Sequence, residues 1–165
     1  ALPGEIPTMS DWTDHMTTLF PEVRLKRFLE MRGADGGPWR RLCALPALWV
    51  GLLYDSTALD AAWDLVKDWT LEEHAMLRRE VPRTALNTEF RGQKFNEVAK
   101  RVLEISRAGL AARAQLDSKG NDETTFLTAL DEIAARGTCP AEVKLDLYNG
   151  PWGGNVDPVF TEYAY

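Results

Sequence analysis

The stretch that decides the fold has the sequence EVRLKRFLEMR and runs from Glu22 to Arg32. Its residues alternate between an apolar side and a mostly charged side, which predicts one β-strand over residues 22–32. The apolar side carries Val23, Leu25, Leu29 and Met31. A strand must find partners for its backbone N–H and C=O groups, and we identify no good second strand in the sequence. We therefore expect this strand to complete a sheet whose other strands lie upstream.

The segments on both sides of the strand favour helices. Residues 1–9 lack periodicity and contain two prolines and a glycine, which predicts a linker, and residues 10–20 predict a short helix. Residues 36–150 predict a helical region whose central helix is almost entirely apolar and kinks near Pro46. Within it, Thr70 and Glu73 fit a capping box for a helix that ends before Pro82, residues 82–92 predict a loop, and Gly137 ends a later helix. With a tail over 151–165, the fold class is mainly α with one strand.

Composition excludes several classes of protein. The chain has 165 residues, 45% of them hydrophobic, which suits a single domain. A net charge of -6 argues against nucleic acid as a partner, because phosphate affinity needs clustered Lys and Arg. No apolar stretch approaches the roughly 20 residues needed to cross a bilayer, so we expect no membrane partner. Cys43 and Cys139 are far apart and form no zinc motif, which favours reduced thiols in the cytoplasm.

The best candidate for chemistry is the end of the predicted strand. Glu30 and Arg32 are two residues apart and therefore share its charged face, while Asp35 lies in the following turn. A carboxylate beside a guanidinium suits phosphoryl chemistry, with Mg²⁺ on the carboxylate and phosphate on the arginine. From spacing alone, an ion pair on a solvent-facing strand is the favoured interpretation. Arg24 and Lys26 extend the charged face and, together with Asp35, could line a cleft for an anionic ligand.

Six segments of the chain resemble the glutamate–cysteine ligases of plants and many proteobacteria. They are LFPEVRLK (19–26), LEMRGADGGPW (29–39), LCALP (42–46), WVGLLYD (49–55), GPWG (150–153) and VDPVF (156–160). The resemblance covers essentially the whole chain but only about the last third of such a ligase. It implies that residues 1–165 are the carboxy-terminal portion of a single catalytic domain, whose upstream part is its partner.

The resemblance also implies a fold and a reaction. The fold is an α+β, glutamine-synthetase-like ligase whose sheet is mostly upstream, and the substrates are ATP, L-glutamate and L-cysteine. ATP would phosphorylate the glutamate side chain, and the cysteine amine would displace phosphate in the first step of glutathione biosynthesis. By this match Glu30 holds Mg²⁺, while Arg32 contacts the ATP phosphates and the acyl phosphate. Arg24, Lys26 and Asp35 have no defined family role.

Two further expectations follow from this comparison. The parent protein is expected in the cytoplasm, or in a plastid if its source is plant-like, and this chain alone is expected to be inactive. The rival hypothesis is a non-catalytic helical module for interaction or regulation, or an inactive fragment. An activity assay with and without the upstream part separates the two.

Overall fold

The computed structural model describes residues 3–164, which are mainly helical, as predicted. The helices are α1 (Met9–Thr17), α2 (Trp39–Leu53), α3 (Ser56–Val66), α4 (Leu71–Thr84), α5 (Phe95–Arg113), α6 (Thr128–Arg136), α7 (Pro140–Asn149) and α8 (Val159–Glu162). Four short strands are β1 (Val23–Leu25), β2 (Leu29–Met31), β3 (Glu89–Phe90) and β4 (Gln93–Lys94). Short 3-10 turns cover Ala85–Asn87 and Glu123–Leu127. The chain divides into two compact units, Ala1–Asp35 and Gly36–Tyr165.

The first unit corrects the prediction of one continuous strand over 22–32. The chain reverses after β1, and β2 pairs with β1 in an antiparallel hairpin in which Arg24 lies opposite Glu30. Lys26 N–H donates to the carbonyl of Phe28 at the turn, and Arg32 N–H donates to the carbonyl of Glu22 beyond the strands. The predicted division into an apolar and a charged face is retained, because apolar residues pair with apolar residues and Arg24 pairs with Glu30. The strand that the sequence analysis missed is therefore the second half of the same stretch.

Helix α1 begins slightly earlier than predicted. Thr8 accepts a hydrogen bond from the backbone of Asp11, whose carboxylate accepts one from the backbone of Thr8, and this capping box sets the start at Met9. The helix ends at Thr17 rather than at residue 20, and none of its residues is buried. Residues 1 and 2 of the predicted linker and residue 165 of the predicted tail lie outside the described residues.

The second unit is built around the crossing of α2 and α5. A Cβ placed on Gly109 of α5 would lie 1.9 Å from the carbonyl oxygen of Gly51 in α2, so the two backbones touch there. Ser106 adds a hydrogen bond from its hydroxyl to the carbonyl of Leu48, at 3.0 Å. Three buried clusters surround the crossing: Ala47, Leu110 and Leu127; Leu52, Ala58 and Ile105; and Leu77, Phe90 and Val98. The prediction that α2 is central to the core is confirmed.

Two boundaries in this unit differ from the prediction. Helix α4 has the predicted Thr70–Glu73 capping box, but it continues through Pro82 to Thr84. Pro82 has no backbone N–H to donate, so the last turn of α4 lacks one hydrogen bond of the helical ladder. The predicted loop over 82–92 contains β3, and its tight turn to β4 places Arg91 and Gly92 at positive φ. Gly137 ends α6 in the left-handed conformation, as predicted.

Within residues 3–164, no single helix has both the length and the hydrophobicity of a membrane span. Helices α2 and α3 would meet that test only when taken together, and they are bent by 92° relative to each other.

Candidate functional site

Three side chains of the first unit form what we call the hairpin charge cluster: Arg24, Glu30 and Arg32. The Arg24 Nε donates a hydrogen bond to Glu30 Oε2 at 2.7 Å. The Arg32 Nη1 lies 3.5 Å from the same oxygen. One carboxylate is therefore shared by two guanidinium groups on one face of the hairpin.

The hairpin backbone positions this cluster. The β1–β2 register places Arg24 directly opposite Glu30, and the extra backbone hydrogen bond to Glu22 brings Arg32 onto the same face. The Arg32 guanidinium also lies over the ring of Phe20, with its Cζ 5.1 Å from the ring centroid, as in a cation–π contact. These contacts limit the orientations that the two arginines can adopt.

In the β1–β2 hairpin, the charged side chains of the cluster are less exposed than most of the apolar ones. The charged side chains of the cluster are half-buried, with 25–32% of their side-chain surface exposed. The apolar positions Val23, Leu25 and Leu29 are more exposed, at 47%, 79% and 55%. The described residues therefore do not bury the apolar face of this hairpin, although an apolar strand face is normally covered.

The cluster keeps Glu30 ionised. The hydrogen bond from Arg24 lowers the pKa of the Glu30 carboxyl below its ordinary value, against the raising effect of desolvation, and the charges of Arg24, Lys26 and Arg32 lower it further. Two guanidinium groups on one carboxylate leave an excess of positive charge on this face. Such a face suits an anion, and arginine forks match phosphate and carboxylate oxygens.

The other predicted residues make no direct contact with Glu30. Lys26 is exposed and lies at the turn, where its charge acts on Glu30 only through space. Asp35 is exposed, and within residues 3–164 no hydrogen bond or ion pair holds it. Sequence reasoning missed the pairing of Arg24 with Glu30, because a turn made of Lys26, Arg27 and Phe28 has none of the usual turn residues.

The cluster supplies one possible metal ligand. Glu30 offers the hard oxygen that Mg²⁺ prefers, but Mg²⁺ needs an octahedral shell of six ligands. Arg24 and Arg32 already form ion pairs with the same Glu30 oxygen. The part of the chain that the structure describes contains no group of three or more His, Cys, Asp or Glu residues that could hold a metal. These residues therefore do not make a complete Mg²⁺ site.

Comparison with known families identifies the class of protein. The model of glutamate-cysteine ligase family 2 matches residues 4–162, which includes the hairpin and almost all of the helical unit. The chain therefore belongs to this family.

Individual relatives agree with this assignment. The chain is 57% identical over 164 residues to the chloroplastic glutamate–cysteine ligase of Arabidopsis thaliana, 53% identical to that of Nicotiana tabacum, and 54% identical over 163 residues to glutamate–cysteine ligase A of Oryza sativa subsp. indica. Each alignment covers 99% of this chain but only 30–32% of the relative. The chain thus spans about a third of the length of the relatives it matches.

Proposed function

We propose that this chain is the carboxy-terminal portion of the catalytic domain of a glutamate–cysteine ligase. The whole protein would join the side-chain carboxylate of L-glutamate to the amine of L-cysteine, with ATP forming a γ-glutamyl phosphate on the way. The observation that carries this proposal is the family match over residues 4–162. The names of the relatives, which are glutamate–cysteine ligases, support the two amino-acid substrates.

The hairpin charge cluster supports the role of ATP in this reaction. Phosphoryl transfer places charge on the transferring oxygens, and a preorganised guanidinium stabilises that charge. Arg32 is held by Phe20 and by the carboxylate of Glu30, so its fork would be oriented before a phosphate arrives. Arg24 shares Glu30 with Arg32 and would help to fix the carboxylate in place. Lys26 and Asp35 would line the same cleft without touching the reacting groups.

Glu30 would contribute one carboxylate ligand to Mg²⁺, with the remaining ligands coming from the upstream part of the protein. The ion would neutralise charge on the ATP phosphates. The exposed apolar face of the hairpin supports an upstream partner, because Val23, Leu25 and Leu29 need a surface to bury them. That surface would be the rest of the ligase sheet.

Location follows the relatives. Their names place them in the chloroplast, which supports the plastid alternative for this protein over the cytoplasm. The competing function is a non-catalytic helical module. Activity that requires both this chain and the upstream part would exclude that module, and full activity of the upstream part alone would favour it.

The test of the site uses the full-length protein that carries this chain. Arg32→Lys should lower kcat/KM for γ-glutamylcysteine formation by about 100-fold, because a point charge does not replace the planar fork. Arg27→Gln is the matched control, since Arg27 is exposed in the same hairpin and lies outside the cluster. Near-normal turnover of Arg32→Lys would remove Arg32 from the site.

A second variant examines the metal role of Glu30. Glu30→Gln should lower turnover and raise the Mg²⁺ concentration that gives half-maximal rate. If turnover falls while the Mg²⁺ dependence is unchanged, Glu30 only orients the arginines. A Mg²⁺ titration of the variant beside the wild type separates these two roles.

A further inference from the structure

A cavity of about 220 Å³ opens in the helical unit between the first turn of α2, the end of α6, the start of α7 and the residue after α8. Its wall carries three arginines, Arg40, Arg41 and Arg136, and one acidic residue, Glu132. Thr138 and Tyr163 add side-chain hydroxyl groups to the wall. Because liquid water occupies about 30 Å³ per molecule, the cavity has room for a small polar solute.

The single acidic residue of this cavity is already paired. Glu132 Oε2 accepts a hydrogen bond from Arg40 Nη2, and Arg136 Nη2 lies 4.0 Å from the same oxygen. Glu132 therefore offsets one of the three positive charges. Counted over the described lining residues, the wall retains an excess of two positive charges, which matches the charge of a phosphate dianion.

Among the described residues that line the cavity, Arg41 is the arginine without an acceptor. It is half-buried, and its guanidinium makes no hydrogen bond or ion pair with the rest of residues 3–164. Its side chain lies against Gly37, where an added Cβ would be 3.0 Å from Arg41 Nε and 3.3 Å from Arg41 Cβ. A partly desolvated guanidinium without a partner is unfavourable, and an anion in the cavity would supply that partner.

The backbone adds to the attraction for an anion. Arg40 and Arg41 lie in the first turn of α2, a helix of 15 residues whose N-cap, Pro38, provides no side-chain hydrogen bond. The start of α2 therefore borders the same cavity as the Arg41 guanidinium, and the positive end of a helix dipole favours an anion nearby. The helix end and the arginines act in the same direction.

We propose that this cavity binds a phosphate group, with Arg41 as its main ligand and Arg136 and the hydroxyls of Thr138 and Tyr163 around it. The group would come either from inorganic phosphate or from a nucleotide. The cavity shares no residue with the hairpin charge cluster, so the site goes beyond the proposed function. It would make the stability of the helical unit depend on phosphate concentration.

The test measures phosphate binding to the full-length protein by calorimetry and by thermal unfolding, with chloride at matched ionic strength as the reference. An Arg32→Gln background removes the contact that we propose for the active site. In that background inorganic phosphate should bind saturably and raise Tm, and Arg41→Gln should weaken binding about tenfold or more. Arg79→Gln is the charge-matched control, because Arg79 is exposed, pairs with Glu80 and lies off the cavity.

Each outcome decides the proposal. It is overturned if phosphate does not bind saturably, if Arg41→Gln binds within twofold of its parent, or if Arg79→Gln weakens binding equally. A parallel titration with ADP distinguishes the two sources of the phosphate group. If Arg41→Gln weakens the binding of ADP, the ligand is a nucleotide; if it weakens only the binding of inorganic phosphate, the ligand is the free ion. If Arg41→Gln fails to fold, the exposed Arg136→Gln provides the same comparison. Binding is read without turnover, so failure here leaves the proposed ligase activity intact.

Discussion

The crossing of α2 and α5 makes Gly109→Ala an informative perturbation. Alanine is a better helix former than glycine by about 1 kcal/mol, so helix propensity alone predicts that the variant is more stable. The packing predicts the opposite sign. The new methyl group would lie 1.9 Å from the carbonyl oxygen of Gly51 and 2.9 Å from the Cβ of Ala58.

The size of the effect follows from this overlap. Cβ contacts under 3.0 Å essentially never occur, so the two helices must separate by about 1 Å at the crossing. No side-chain rotation can relieve the overlap, because the overlapping atom is the backbone carbonyl oxygen of Gly51. Overpacking usually costs about 1–3 kcal/mol, and a backbone overlap of this size belongs at or above the upper end. After the gain in helix propensity, we expect a net loss of about 2–3 kcal/mol in the free energy of unfolding.

The assay is urea unfolding of the chain followed by far-ultraviolet circular dichroism, with the thermal midpoint of the full-length protein as a second measurement. Gly36→Ala is the control, because no atom lies within 4 Å of a Cβ at Gly36. That control should change stability by no more than about 0.5 kcal/mol. A Gly109→Ala protein as stable as the wild type, or more stable, would refute the close backbone approach.

Two further perturbations examine helix α4: the first removes its N-cap, and the second removes the ion pair between Glu73 and Arg91. Thr70→Ala removes the capping box that joins Thr70 and Glu73 and should cost about 1 kcal/mol in urea unfolding, whereas Thr70→Ser should retain most of the stability; equal losses would show that the cap does not contribute. The hydrogen bonds from Arg91, assisted by the Thr70 backbone, lower the pKa of Glu73 from 4.5 to about 2. Because the folded pKa lies below the unfolded one, this stabilisation is present above pH 4.5 and is lost as pH falls towards 2. Arg91→Gln should raise the pKa of Glu73 and reduce that acid-dependent loss in a series of thermal midpoints against pH, and an unchanged slope would contradict the role of Arg91.

Several features of the fold could be predicted from local sequence. The Thr70–Glu73 capping box and the αL glycine at Gly137 depend on residues within one helical turn, so their patterns identify them directly. The two faces of residues 22–32 were also predictable, because alternation depends only on the extended backbone. The reversal of that stretch at 26–28 was not, since no residue there requires a turn.

The candidate sites show the same division. Sequence alone singled out Glu30 and Arg32, which are close along the chain, but it did not identify Arg24 as the residue that holds Glu30. The phosphate cavity gave no sequence signal, because Arg40 and Glu132 are 92 residues apart. The backbone contact of Gly51 with Gly109 likewise depends on two helices crossing at one point.

What the sequence determined by itself was the mainly helical class, the caps, the faces of the charged stretch and the family resemblance. All of these depend on neighbouring residues or on linear motifs. Only the tertiary structure decided which strand pairs with Val23–Leu25, which helices touch through their backbones and which described arginine of the cavity wall lacks an acceptor. Those features arise when distant segments meet, and their energies depend on distances that the order of residues does not specify.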